Sequence, residues 1–153
     1  MKPMPQLQFG DIIGFKGMAL VRWKTDGRAG HVAVYTAQGN VFTSETKDGV
    51  GIYKLSAQGD PVWIRRPKAA LNPSALDWAN TVTGRPYGWR DDIGVALGEA
   101  DESTVTSMNC SHSSCLFLLH AGAPQFDPAF DPARVTPEHF ETTYESEEIW
   151  NNK

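Results

Sequence analysis

The chain reads as an α+β domain, with strands first and helices after them. Two observations predict this. Runs of β-branched and aromatic residues separated by glycine-containing turns fill the stretch from Phe9 to Arg65, and beyond Asn72 apolar residues recur at helical spacing. A chain of 153 residues with 41% hydrophobic content suffices for one core and leaves no room for a second domain of ordinary size. A single domain over residues 1–153 is expected, built on an antiparallel sheet of about five strands packed against helices.

The first strand is expected within Gln8–Phe15, a short apolar run punctuated by glycines, and Thr25 to Gly30 then forms a charged connection. The clearest hairpin follows. His31-Val32-Ala33-Val34-Tyr35-Thr36 is β-branched and aromatic, Gln38-Gly39-Asn40 turns, and Val41-Phe42-Thr43-Ser44-Glu45 returns. Lys47-Asp48-Gly49 turns again into a strand at Val50–Tyr53, and Val62–Arg65 supplies one more.

Asn72-Pro73-Ser74 predicts a helix start with proline in its first position; Leu76, Ala79, Val82 and Thr83 share one face, and Gly84 ends it. Arg85-Pro86-Tyr87-Gly88-Trp89 is a ring-rich turn, and Asp92–Leu97 predicts a short helix. Asn109 is a good N-cap for the next helix, which Gly122 and Pro124 stop near Ala121; Cys115, Leu116 and Leu119 are expected on its buried face. Phe126 to Pro132 is proline-broken loop, and Thr136-Pro137-Glu138 opens a last short helix containing His139 and Phe140.

A formal charge of −4 with scattered Lys and Arg gives no basic stripe, so nucleic acid is not an expected partner. The N-terminal residues lack an apolar signal core, and no run of about 18 apolar residues occurs, so no integral membrane segment is expected. The protein is expected to be cytoplasmic as synthesised, any delivery outside the cell depending on other factors. Two cysteines, Cys110 and Cys115, five apart in one helix, do not suit disulfide geometry.

Cys110 falls in the first turn of its helix, where backbone N–H groups and the helix dipole favour an anion. A thiol there should be acidic and nucleophilic, given an imidazole within reach. There are four histidines. His112 projects from another side of the same helix and His120 lies more than two turns away. His31 opens a strand, where its ring can stand off the sheet and meet a helix packed across it. Read without context, the same residues equally describe a buried cysteine and a surface histidine. A third group normally orients such an imidazole. Thr43 and Glu45 share one face of the returning strand; register favours Thr43, carboxylate chemistry favours Glu45. Cys110, His112 and Cys115 have the types of zinc ligands but cannot converge from one helix without unwinding, so neither metal nor other cofactor is expected.

Gly10-Asp11-Ile12-Ile13, Gly30-His31-Val32-Ala33-Val34-Tyr35 with Gly39 and Val41, Gly49-Val50, Arg85-Pro86-Tyr87, and Cys110-Ser111 followed by Leu118-Leu119-His120-Ala121-Gly122 carry a resemblance. Their order and spacing from about Phe9 to the Thr136-Pro137 helix resemble the circularly permuted branch of the NlpC-type papain-like cysteine peptidases, the YiiX and YaeF-like group. The resemblance implies a permuted papain-like fold with the nucleophile helix late, Cys110 as nucleophile and His31 as general base. Where relatives often carry a Glu or His as third residue, this chain offers Thr43 or Glu45. Tyr87 and Trp89 resemble the aromatic wall of a substrate cleft. The implied activity is a thiol hydrolase cleaving amide bonds, with cell-wall peptides as substrate class and a peptide or acyl-containing small substrate as partner. The alternatives are lipid ester chemistry of the lecithin retinol acyltransferase type and a binding module that retains the fold without the reaction.

Overall fold

The structure is a computed structural model and describes residues 2–17, 22, 27–88, 108–123, 132–142 and 144–153. Six strands form one sheet: β1 (Ile12–Phe15), β2 (His31–Tyr35), β3 (Asn40–Glu45), β4 (Gly49–Lys54), β5 (Pro61–Pro67) and β6 (Ser146–Asn151). Their order is β4-β3-β2-β1-β5-β6, and every neighbouring pair is antiparallel. Three helices accompany it, α1 (Ala75–Val82), α2 (Cys110–His120) and α3 (Pro137–Thr142), so the α+β class expected from the sequence holds. Among the described residues no helix is long and apolar enough to cross a membrane.

The β2–β3 hairpin turns where its sequence says it should. Gln38 and Gly39 both take left-handed φ values, 52° and 74°, and Asn40 N–H donates to the Ala37 carbonyl at 2.9 Å, the geometry whose twist matches two-residue hairpins. β1 is shorter than its apolar run, because Asp11 N–H bonds back to the Gln8 carbonyl and makes the preceding residues a turn. β6 was not expected: Ser146-Glu147-Glu148-Ile149-Trp150-Asn151 has two apolar residues and two glutamates, a composition that hides an edge strand. It is held by its β5 ladder and by Arg65, which donates to the Ser146 hydroxyl and carbonyl, both at 2.8 Å.

Alternation along the strands sorts the apolar residues into two buried clusters. Ile12, Val32, Val34, Phe42, Val50 and Trp63 face the helices, while Ile13, Phe15, Ala33, Val41, Ile64 and Trp150 form a second cluster. Helix α2 lies against β2 and β3, with α1 and the short turn Pro132–Arg134 on its other sides. Enclosure on several sides explains why its expected apolar face is not the observed one. Cys115 is buried as expected, but Leu116 and Leu119 are only partly buried, whereas Ser113, Ser114, Phe117 and Leu118 are buried. Helix α1 begins at Ala75 rather than Pro73, because the Asn72 side chain accepts from Ser74 N–H at 3.0 Å and turns the chain before the helix. The helix expected at Asp92–Leu97 and the loop from Phe126 to Asp131 lie outside the described residues.

A buried carboxylate ties the start of β1 to β5. Asp11, fully buried, accepts from Arg66 Nε and Nη2, both at 2.8 Å, and from Gln8 N–H at 2.8 Å. Its replacement by alanine removes these charge-assisted bonds but leaves Arg66 with access to water, so we expect a loss of about 2 kcal/mol. Chemical denaturation of Asp11→Ala checks this; a midpoint equal to the wild type's would mean that the pair is merely a surface contact.

Candidate active site

Cys110 is the first residue of α2. Asn109 precedes it in extended conformation, and its side chain accepts from His112 N–H at 2.8 Å, the N-cap expected from the sequence. The Ser113 hydroxyl donates to the Cys110 carbonyl at 3.1 Å, and Cys110 is 3% exposed. The thiol is thus carried on a rigid, capped helix start rather than on a loop.

His31 is the first residue of β2 and is half-buried, its ring centroid 5.7 Å from that of Phe15. Its Nε2 lies 2.9 Å from Gln58 Oε1, and Gln58 Nε2 donates to Glu45 Oε1 at 2.6 Å. This chain of contacts decides the tautomer. An ionised carboxylate only accepts, so the amide must present its NH2 to Glu45 and its oxygen to the imidazole. Nε2 then carries the proton, and Nδ1 is left as the basic nitrogen.

Burial pulls the His31 pKa below its usual 6.5, and the bond to Gln58 and the charge of Glu45 oppose this without reversing it. The folded chain therefore binds this proton less readily than the unfolded one. Stability from His31 is complete above about pH 6.5 and is lost as the pH falls toward the folded pKa. Burial lowers His139 likewise, so both histidines contribute in the same direction. Thermal unfolding between pH 7.5 and 5 should show a smaller drop in Tm for His31→Ala than for the wild type; parallel curves would contradict the assignment.

A cavity of about 390 Å³ opens beside His31, with Ser44, Glu45, Lys47, Gln58 and Tyr87 among its lining residues. Tyr87 forms a parallel bridge with Met108, whose N–H donates to the Pro86 carbonyl at 3.2 Å. Two residues later comes Cys110. The same short segment is attached to β4 by the bond from Val50 N–H to the Arg85 carbonyl at 2.9 Å. The start of β2, the end of β3, the start of β4 and the mouth of α2 therefore lie at one end of the sheet.

The fate of each expected residue follows from this frame. Glu45 joins His31 through Gln58 rather than directly, and Tyr87 shares their cavity. Thr43 is fully buried, and its hydroxyl donates to the Val32 carbonyl at 2.8 Å, so it braces the hairpin instead of orienting the ring. Extending the Val34↔Phe42 register along the strands puts Glu45, not Thr43, across from His31. Cys110 belongs to the helix-facing cluster, whereas the His31 ring stands with Phe15 on the opposite face; their common ground is the end of the sheet, not its face. Trp89 lies outside the described residues. Of the other histidines, His120 stacks on Trp78 with centroids 4.5 Å apart, and His139 Nδ1 accepts from Thr136 N–H at 3.0 Å. Gln58 was not anticipated. It follows the 3-10 turn Leu55–Ala57, in a stretch that reads as a plain connector.

No family model and no curated protein matches the chain. Among solved structures, the crystal structure of the metalloprotein YiiX from Escherichia coli O157:H7 has a TM-score of 0.59 to it at 17% identity, covering 96% of this chain and 90% of that one. The fold is YiiX-like. Similarity to YiiX along nearly the whole of both chains, at so low an identity, concerns the arrangement of strands and helices.

Proposed function

We propose that the chain is a thiol hydrolase acting on amide bonds, with Cys110 as nucleophile, His31 as base and peptides of the cell-wall type as substrate class. The observation that supports it most is the Glu45–Gln58–His31 relay, which leaves Nδ1 as the basic nitrogen of the ring. In this reading Nδ1 takes the thiol proton and the thiolate attacks the carbonyl carbon. First-turn N–H groups of α2 face the developing oxyanion, the His112 N–H being engaged by the Asn109 cap. His31 returns the proton to the leaving amine, and a water activated by the same nitrogen releases the acyl group.

The cavity lining, with Glu45, Lys47, Gln58 and Ser44, suits a polar amide substrate better than the long acyl chain of a lipid ester. YiiX is described as a metalloprotein. Among the described residues of this chain no three His, Cys, Asp or Glu side chains are grouped to hold a metal, and the reading uses none.

The test is the rate of Cys110 alkylation by iodoacetamide against pH, with mass spectrometry separating Cys110 from Cys115. Rapid reaction below pH 7 that slows in His31→Ala is the expected result. A Cys110 that titrates near the ordinary thiol value of about 8.5 and ignores His31 would favour the binding module instead.

A further inference from the structure

We infer that Ser44 is a substrate-binding residue whose hydroxyl donates to the carbonyl oxygen under attack; this deepens the hydrolase reading and rests on it. Ser44 is fully buried, yet among the described residues its Oγ has no hydrogen-bond partner. Buried hydroxyls are normally satisfied, and leaving one unpaired costs stability. Ser114 shares this condition, but of the two only Ser44 borders the His31 cavity.

Its position on β3 gives the orphan hydroxyl a direction. Glu45, the next residue, turns to the relay with His31, so alternation sends the Ser44 side chain to the face of Phe42, where α2 lies. Ser44 pairs across the ladder with Val50, Val50 bonds to Arg85, and Tyr87 of that segment bridges to Met108, two residues from Cys110. Ser44 therefore faces the helix side of the sheet while bordering the cavity that also borders His31. A carbonyl brought to the Cys110 thiolate gains negative charge on its oxygen, and a preorganised donor with no other partner stabilises that charge without first breaking a bond. The Ser44 proton is shared and not transferred: the Sγ–C bond forms, the thiol proton goes to His31 Nδ1, and the leaving group departs with the electron pair of its broken bond.

Two reagents separate this role from all others. p-Nitrophenyl acetate acylates the thiol through a tetrahedral oxyanion and releases nitrophenolate, whereas iodoacetamide alkylates the same sulfur with no oxyanion. In Ser44→Ala, acylation of Cys110 should fall by about 10²-fold while alkylation holds its wild-type rate. Tm should stay equal or rise, because an unpaired hydroxyl has been removed. Unchanged acylation overturns the inference and leaves the hydrolase reading intact. A parallel loss of both reactions, or a lowered Tm, also overturns it, since the hydroxyl would then serve the thiol or the fold. Failure of the wild type to acylate Cys110, with alkylation indifferent to His31→Ala, overturns both readings.

Discussion

If the proposed hydrolysis holds, replacing Gln58 by leucine should lower its rate by between about 10²- and 10⁴-fold, because the imidazole loses the acceptor that holds its proton on Nε2. Leucine matches glutamine in bulk, so the 3-10 turn persists and the effect is one of orientation and tautomer. Gln58→Glu makes a sharper companion. Its carboxylate faces Glu45, at a position where the native amide is 2.6 Å away, and it also sits on the ring. The added carboxylate beside the ring stabilises the imidazolium and raises the pKa of the base. The acid limb of kcat/KM against pH, measured with p-nitrophenyl acetate, should move upward in Gln58→Glu, while in Gln58→Leu the whole profile sinks. Profiles that superpose on the wild type's would show that something other than Gln58 orients His31.

The largest structural effect is expected at Gly49. Its φ is 77°, in the left-handed region, and a Cβ built there lies 2.1 Å from the Arg85 carbonyl oxygen, which accepts from Val50 N–H. Gly49→Ala therefore combines the left-handed penalty with a clash against backbone, together roughly 2–4 kcal/mol. For a chain of this length that is a fall of about 5–15 °C in Tm. The displaced segment carries Tyr87, so the cavity wall moves as well, and activity measured well below the transition should drop with stability. A variant with native Tm would mean that the segment yields without cost.

The features legible in the sequence are those decided within a few residues. Asn109 caps its helix, Gly39 turns its hairpin, and the Thr136–Pro137 stretch opens a helix, because caps and turns depend on local backbone chemistry. Long-range pairing was less visible. Closeness to the turn favours Thr43, but the Val34↔Phe42 register, extended, puts Glu45 across from His31, and Gln58, thirteen residues beyond Glu45, bonds to both. Nothing about a glutamine before a glycine distinguishes it from a connector residue. β6 is hidden because Glu148 serves Arg28 and Arg65 across elements, contacts that have no local signature. In α2 the apolar rhythm is absent, since Ser113 and Ser114 are covered while Leu116 and Leu119 are only partly so.

That covered helix has a consequence for change. With sheet, helix and turn pressed on its sides, α2 is an anvil: it holds the sulfur still and has little slack for substitutions of different volume. Variation that tunes what this scaffold accepts must therefore come from the rim, at positions such as Thr46, Lys47 and Ala57, where new side chains project into open space. A library built there should yield folded, altered proteins at a far higher rate than one built along the helix.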